Sequence, residues 1–198
     1  MEVIQLFILG NIIGIVSSFF GIGGGSIMVP ILYTLYPQLP ASIVIPISLG
    51  SIFIVAANNV VLFKKKGHLP PKNIIIALLV TCTIGAFIGS KVLYLIDTEL
   101  AKSSMGYILI LMVLKLLFYK GKKTETDANK NQIIPYSLVG FIGSFVSSIT
   151  GLGGGLVFTP AFLSILKVPA KKVSSYSNLA MLVTTLFGIL PHFFTEMS

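Results

Sequence analysis

Hydrophobic residues fill this chain in long stretches without charge. No charged residue occurs from Val3 to Phe63, or from Gln132 to Leu166. Apolar runs beyond about 18 residues read as membrane spans. The first run begins with a segment, 3–36, that is too long for one upright span. As a straight helix it would measure about 50 Å, against a hydrocarbon core of about 30 Å. Gly21-Ile22-Gly23-Gly24-Gly25 interrupts it, and Pro37 and Pro40 end it. The pattern then predicts spans over 41–63, 73–96 and 103–119. A lysine-rich loop, Lys64 to Lys72, separates the first two, and a short loop with Asp97 and Glu99 separates the next two. Residues 121–131 form the one clearly hydrophilic linker. Beyond it come a second uncharged segment, 133–166, interrupted by Gly151-Leu152-Gly153-Gly154-Gly155, and a span over 173–194.

The second half repeats the first. Gly10 pairs with Gly140, and Ser17-Ser18 with Ser147-Ser148. The glycine clusters then coincide, as do Pro30 and Pro160. After a one-residue gap Pro40-Ala41 pair with Pro169-Ala170, and Ser48 with Ser177. Residues 1–120 are thus one repeat and 132–198 an incomplete second copy, lacking counterparts of 73–96 and 103–119. Internal repeats of this kind typify secondary transporters. The predicted fold is an all-α integral membrane protein, a polytopic helical bundle of two repeats. Each repeat opens with a glycine-broken hairpin or re-entrant helix.

Charge placement gives the orientation. The Lys64–Lys72 loop and the linker up to Lys130 are basic, and two spans separate them, so both face the cytoplasm. Lys167, Lys171 and Lys172 join them only if 133–166 returns to the side it left, as a hairpin bent at the glycines does. Each complete half then crosses three times plus one hairpin, and the repeats are inverted. A single crossing would give parallel repeats and place those three lysines outside.

Composition narrows the class further. The chain is 55% hydrophobic and 10% charged, with a net charge of +8 and a mean hydropathy of +0.96. All fourteen basic residues are lysines in or near loops, without the basic face and interleaved aromatics of a nucleic-acid binder. The single cysteine, Cys82, excludes an intrachain disulfide and reads as a packing thiol. No membrane-embedded Asp or Glu offers a proton relay. Neither Cys/His metal spacing nor paired carboxylates occur, so no catalytic group, metal or cofactor is expected. Lys91 reads as a snorkelling side chain and His192 as interfacial.

The glycine clusters carry the candidate chemistry. A break inside a membrane is tolerated only where protein or water surrounds it. A helix restarting after the glycines presents free N–H groups and a positive dipole end, an anion site without a charged side chain. The expected substrate-binding residues are Gly23, Gly24, Gly25 and Ser26 in the first repeat, with Gly153, Gly154 and Gly155 in the second. Ser48, Ser177 and Asn178 add polar groups from the following spans. Gly10-x-x-x-Gly14 and Gly85-x-x-x-Gly89 read instead as helix-packing motifs. The clusters lack the Gly-Lys-Ser/Thr of a P-loop and the third glycine of a dinucleotide fingerprint.

At these residues the chain resembles the TauE/SafE sulfite exporter family of membrane permeases. The resemblance rests on Gly21-Ile22-Gly23-Gly24-Gly25 with Pro30 and Leu32, Ser48-Leu49, and the basic turn before Lys72. It continues with the second glycine cluster, Pro160 and Ser177-Asn178. It implies an inner-membrane, multi-pass carrier that exports small sulfur-containing anions such as sulfite or sulfonates. Two departures are the absence of the last two expected spans and Ser177-Asn178 in place of Ser-Leu. The expected partners are the lipid bilayer and a small anion, with a homo-oligomer or a partner chain supplying the missing C-terminal spans. The alternatives are a truncated, non-transporting membrane subunit and an anion channel.

Overall fold

The computed structural model describes residues 10–14, 24–117 and 133–195. The linker 121–131 and most of the first glycine cluster, Gly21 to Gly23, lie outside these residues. All regular structure among the described residues is helical. The elements are α1 (Gly25–Leu35), α2 (Ala41–Lys65), α3 (Lys72–Leu93), α4 (Thr98–Leu117), α5 (Ile133–Thr150), α6 (Gly155–Ser164) and α7 (Ala170–Thr195). Among the described residues, α2, α3, α5 and α7 are long and apolar enough to cross a membrane. By contrast, α1 and α6 have 11 and 10 residues. At 1.5 Å per residue each reaches about half-way through the hydrocarbon.

Proline and lysine set the helix ends. Pro40 and Pro71 stand just before α2 and α3, where a missing N–H costs nothing. Lys64 and Lys65 occupy the last turn of α2, where cations suit the negative end of the helix dipole. The large side chains face outward: Ile76, Val80, Ile84, Phe87 and Ile88 of α3 are exposed. Ala77, Cys82, Gly85, Ala86, Gly89 and Ser90 of the same helix face inward, together with Ile74, Leu78 and Leu93.

The second hairpin is seen in full. Tyr136 near the start of α5 packs on Phe162 near the end of α6, with ring centroids 6.1 Å apart. Phe158 lies against Gly143, and Gly154 lies near Ser147. These pairs run in opposite directions, so α6 folds back along α5. Tyr176 of α7 closes an aromatic cluster with Tyr136 and Phe162.

Two glycine stripes behave differently. A Cβ on Gly85 would lie 2.5 Å from Phe141 O, and one on Gly89 2.5 Å from Phe145 O. Both glycines let α3 lie directly on α5, as the packing motif predicts. Cys82 is fully buried in the same contact, its Sγ 3.5 Å from Gly140 O. Gly10 and Gly14 were expected to pack as well. Instead, no described atom comes within 4 Å of a Cβ built on either, and both line a cavity.

The long helices have defined directions. Leu49 of α2 meets Gly188 of α7, and Asn59 Nδ2 donates to Asn178 Oδ1 at 2.9 Å. Hence α2 and α7 are antiparallel. Ser175 Oγ donates to His68 O at 2.6 Å, so the start of α7 lies beside the lysine-rich loop. At the other end of α7, His192 Nδ1 and Tyr94 Oη are 2.7 Å apart. His192 is 3% exposed, not an open interfacial residue as its position after Pro191 suggests. Pairing with Tyr94 gives its ring a polar neighbour inside the bundle. Lys91 is exposed, with Nζ 4.7 Å from the Phe87 ring.

Candidate functional site

The second glycine break is a sharp one. The last α5 hydrogen bond runs from Gly151 N–H to Ser147 O at 2.9 Å. Gly151, Gly153 and Gly154 then take φ of 70°, 68° and 87°. These left-handed values favour glycine, because a Cβ would crowd the backbone. Gly154 is the N-cap of α6, and no side chain caps it. Its carbonyl accepts from Val157 and Phe158 N–H, at 3.0 and 2.6 Å. The first helix start shares the hydrogen-bond pattern, although Gly24 is right-handed with φ −61°. Gly24 is the N-cap of α1, without a side-chain cap, and its carbonyl accepts from Ile27 and Met28 N–H at 3.3 and 2.9 Å.

The two breaks meet. A Cβ on Gly25 would lie 2.6 Å from Gly151 O and 2.9 Å from Ser48 Oγ. Leu152, inside the second break, is fully buried against Val29 of α1 and Val44 of α2. Ser48 Oγ donates to Gly151 O at 2.8 Å, so a hydroxyl of the first repeat holds a carbonyl of the second. One turn further along α2, Ile52 fills the remaining gap. Its side chain occupies the space into which a Cβ on Gly25 or Gly153 would project. A cavity of about 170 Å³ adjoins it, lined by Gly10, Gly14, Gly24, Met28, Ser51 and Ile52 among others. Gly24 thus borders open volume, while Ile52 lies against Gly153 and Phe158 against Gly154.

The predicted site residues divide accordingly. Gly24, Gly25, Ser48 and Gly153 converge around Ile52, with Gly154 and Gly155 following in the same break. Ser26 is buried in the first turn of α1. Gly23 lies outside the described residues. Ser177 and Asn178 have other partners: Ser177 Oγ accepts from Thr159 Oγ1 at 3.2 Å, and Asn178 Nδ2 donates to Ser174 O at 2.7 Å while its Oδ1 takes Asn59. The residues that sequence reasoning passed over are Ile52, which reads as ordinary apolar filling, and Ser147. Ser147-Ser148 repeats Ser17-Ser18, and that was the available signal. Among the described residues no group of three or more His, Cys, Asp or Glu could hold a metal ion.

The family model of the sulfite exporter TauE/SafE matches residues 6–197. The chain belongs to this family. It is therefore a multi-pass membrane transporter and not an enzyme. TauE/SafE membership agrees with the four candidate spans. The chain is 29% identical over 196 residues to a "probable membrane transporter protein" of Methanocaldococcus jannaschii, across 94% of this chain and 71% of that one. It is also 29% identical over 195 residues to one of Haemophilus influenzae, across 96% and 72%. A third relative, YunE of Bacillus subtilis, bears the same description and is 24% identical over 215 residues, across 97% and 78%. No solved structure matches.

Proposed function

We propose that this TauE/SafE protein is an inner-membrane secondary carrier that exports a small oxyanion, with sulfite or a sulfonate as the substrate class. The meeting of the two breaks carries this reading: Gly25 abuts Gly151 O, and the Ile52 side chain lies against both Gly25 and Gly153. Two helix N-termini aimed at one position supply N–H donors and positive dipole ends from both repeats. No acidic side chain sits there to repel an anion. In the present conformation Ile52 occupies the gap, so an anion enters only as that side chain turns toward the neighbouring cavity.

The repeats are inverted in this proposal. Support comes from α2 and α7, which occupy equivalent places in the two copies and run antiparallel, and from α6 returning along α5. Inversion suits alternating access, because each repeat can then gate one membrane face around a shared midplane site.

Reconstituted vesicles loaded with sulfite test the reading. Wild-type protein should show saturable efflux with counterflow. Gly154→Val should reduce efflux at least about tenfold without loss of membrane insertion, since valine resists the left-handed conformation and collides with Phe158. Unchanged efflux in the variant would reject the site. Efflux without saturation or counterflow would make the protein a channel.

A further inference from the structure

The start of α6 is approached by a polar side chain that the glycine argument does not use. Ser147 lies in the last turn of α5 and is 0% exposed. Its Oγ has no hydrogen-bond partner and lies 3.4 Å from the position of a Cβ on Gly154. Other hydroxyls in these helices satisfy themselves on the carbonyl four residues back, as Ser51, Thr81, Thr150 and Thr185 do. Ser147 does not. Its neighbour Ser148 is equally buried and unpartnered, but faces the opposite way, 3.1 Å from a Cβ on Gly188 of α7. One serine therefore addresses the break and the other addresses α7.

A buried hydroxyl with nothing to bond is unfavourable, most of all inside a membrane. Ser147 is placed where a ligand at the α6 N-terminus would take its proton. That ligand must be an acceptor, small and negatively charged, because the adjoining donors are uncapped backbone N–H groups at a positive helix end. An oxyanion satisfies all three, since separate oxygens can accept from the backbone and from the hydroxyl together.

We propose that the Ser147 hydroxyl is a direct ligand of the transported oxyanion at the second break, acting beside the backbone donors that open α6. The proposal rests on the carrier reading above and assigns that site its first side-chain donor from α5.

Calorimetric titration of the purified full chain in detergent with sulfite tests it. Ser147→Ala should weaken sulfite binding about tenfold or more, the effect of losing one hydrogen bond to a charged group. Its melting temperature without sulfite should not fall, because the hydroxyl has no protein partner to lose. Ser148→Ala should change the affinity by less than about twofold. Wild-type affinity in Ser147→Ala, or an equal loss in Ser148→Ala, would overturn the assignment while leaving the carrier reading intact. Failure of the wild-type protein to bind sulfite, sulfate or taurine would overturn both.

Discussion

The hydroxyl of Ser48 meets a backbone oxygen, Gly151 O, in a fully buried position. Sequence spacing marks it as a polar group near the break, and the structure gives it a partner in the other repeat. Gly151 is in the left-handed region, where its carbonyl leaves the α5 ladder and needs a donor. Ser48→Ala removes that donor and leaves a buried carbonyl unpaired, which costs about 1–3 kcal/mol. The expected outcome is a melting temperature lower by several degrees, read by thermal unfolding in detergent. An unchanged value would mean that the carbonyl finds another donor. Ile52 shows the reverse situation. Its chemistry is bland, yet its position between Gly25 and Gly153 sets the width of the site.

Among the elements, the contact between α3 and α5 depends most on glycine. Gly85 and Gly89 bring α3 onto the backbone of α5 at Phe141 and Phe145, with no room for a side chain. Association in a membrane draws on such close packing, because lipid tails are as apolar as leucine and exclude nothing. Gly85→Leu should separate the two helices and destabilise the fold by several kcal/mol. Gly106→Ala on α4 should be close to neutral, since no described atom lies within 4 Å of the added methyl. Unfolding of both variants in detergent, monitored by helical circular dichroism, checks the contrast. The half-length helices α1 and α6 obey a different constraint. Each starts at a glycine break, and the start of α1 at Gly25 lies against Gly151 O of the second break.

For the whole molecule, three contacts sort the loops onto two faces of the bundle. The start of α7 touches the Lys64–Lys72 loop through Ser175 and His68. At its other end it touches the C-terminus of α3 through His192 and Tyr94. Lys102, at the start of α4, reaches Pro37 O at 3.4 Å, which joins the loops of that second face. Lys167, Lys171 and Lys172 therefore share a side with Lys64, Lys65 and Lys66, and the lysine bias predicts that side to be cytoplasmic. In a Cys82→Ala background, Lys171→Cys and Lys65→Cys should both react with an impermeant thiol reagent from the cytoplasmic side. Labelling of the two from opposite sides would exclude inverted repeats.

The sequence by itself determined the membrane class, the helical fold, the spans that became α2, α3 and α7, and the glycine break between α5 and α6. Each of these rests on local chemistry: uncharged length fixes a span, and clustered glycine permits left-handed backbone wherever it occurs. Tertiary structure decided which groups meet. Gly85 and Gly10 belong to identical spacing motifs, but one faces a helix backbone and the other a cavity. Ser48 and Ser177 occupy equivalent positions, but one holds a carbonyl of the other repeat and the other pairs with Thr159. Asn178 is engaged by Asn59, and Ile52 fills the gap between the helix ends. Such pairings join residues far apart along the chain, and spacing carries no information about which distant side chain will arrive.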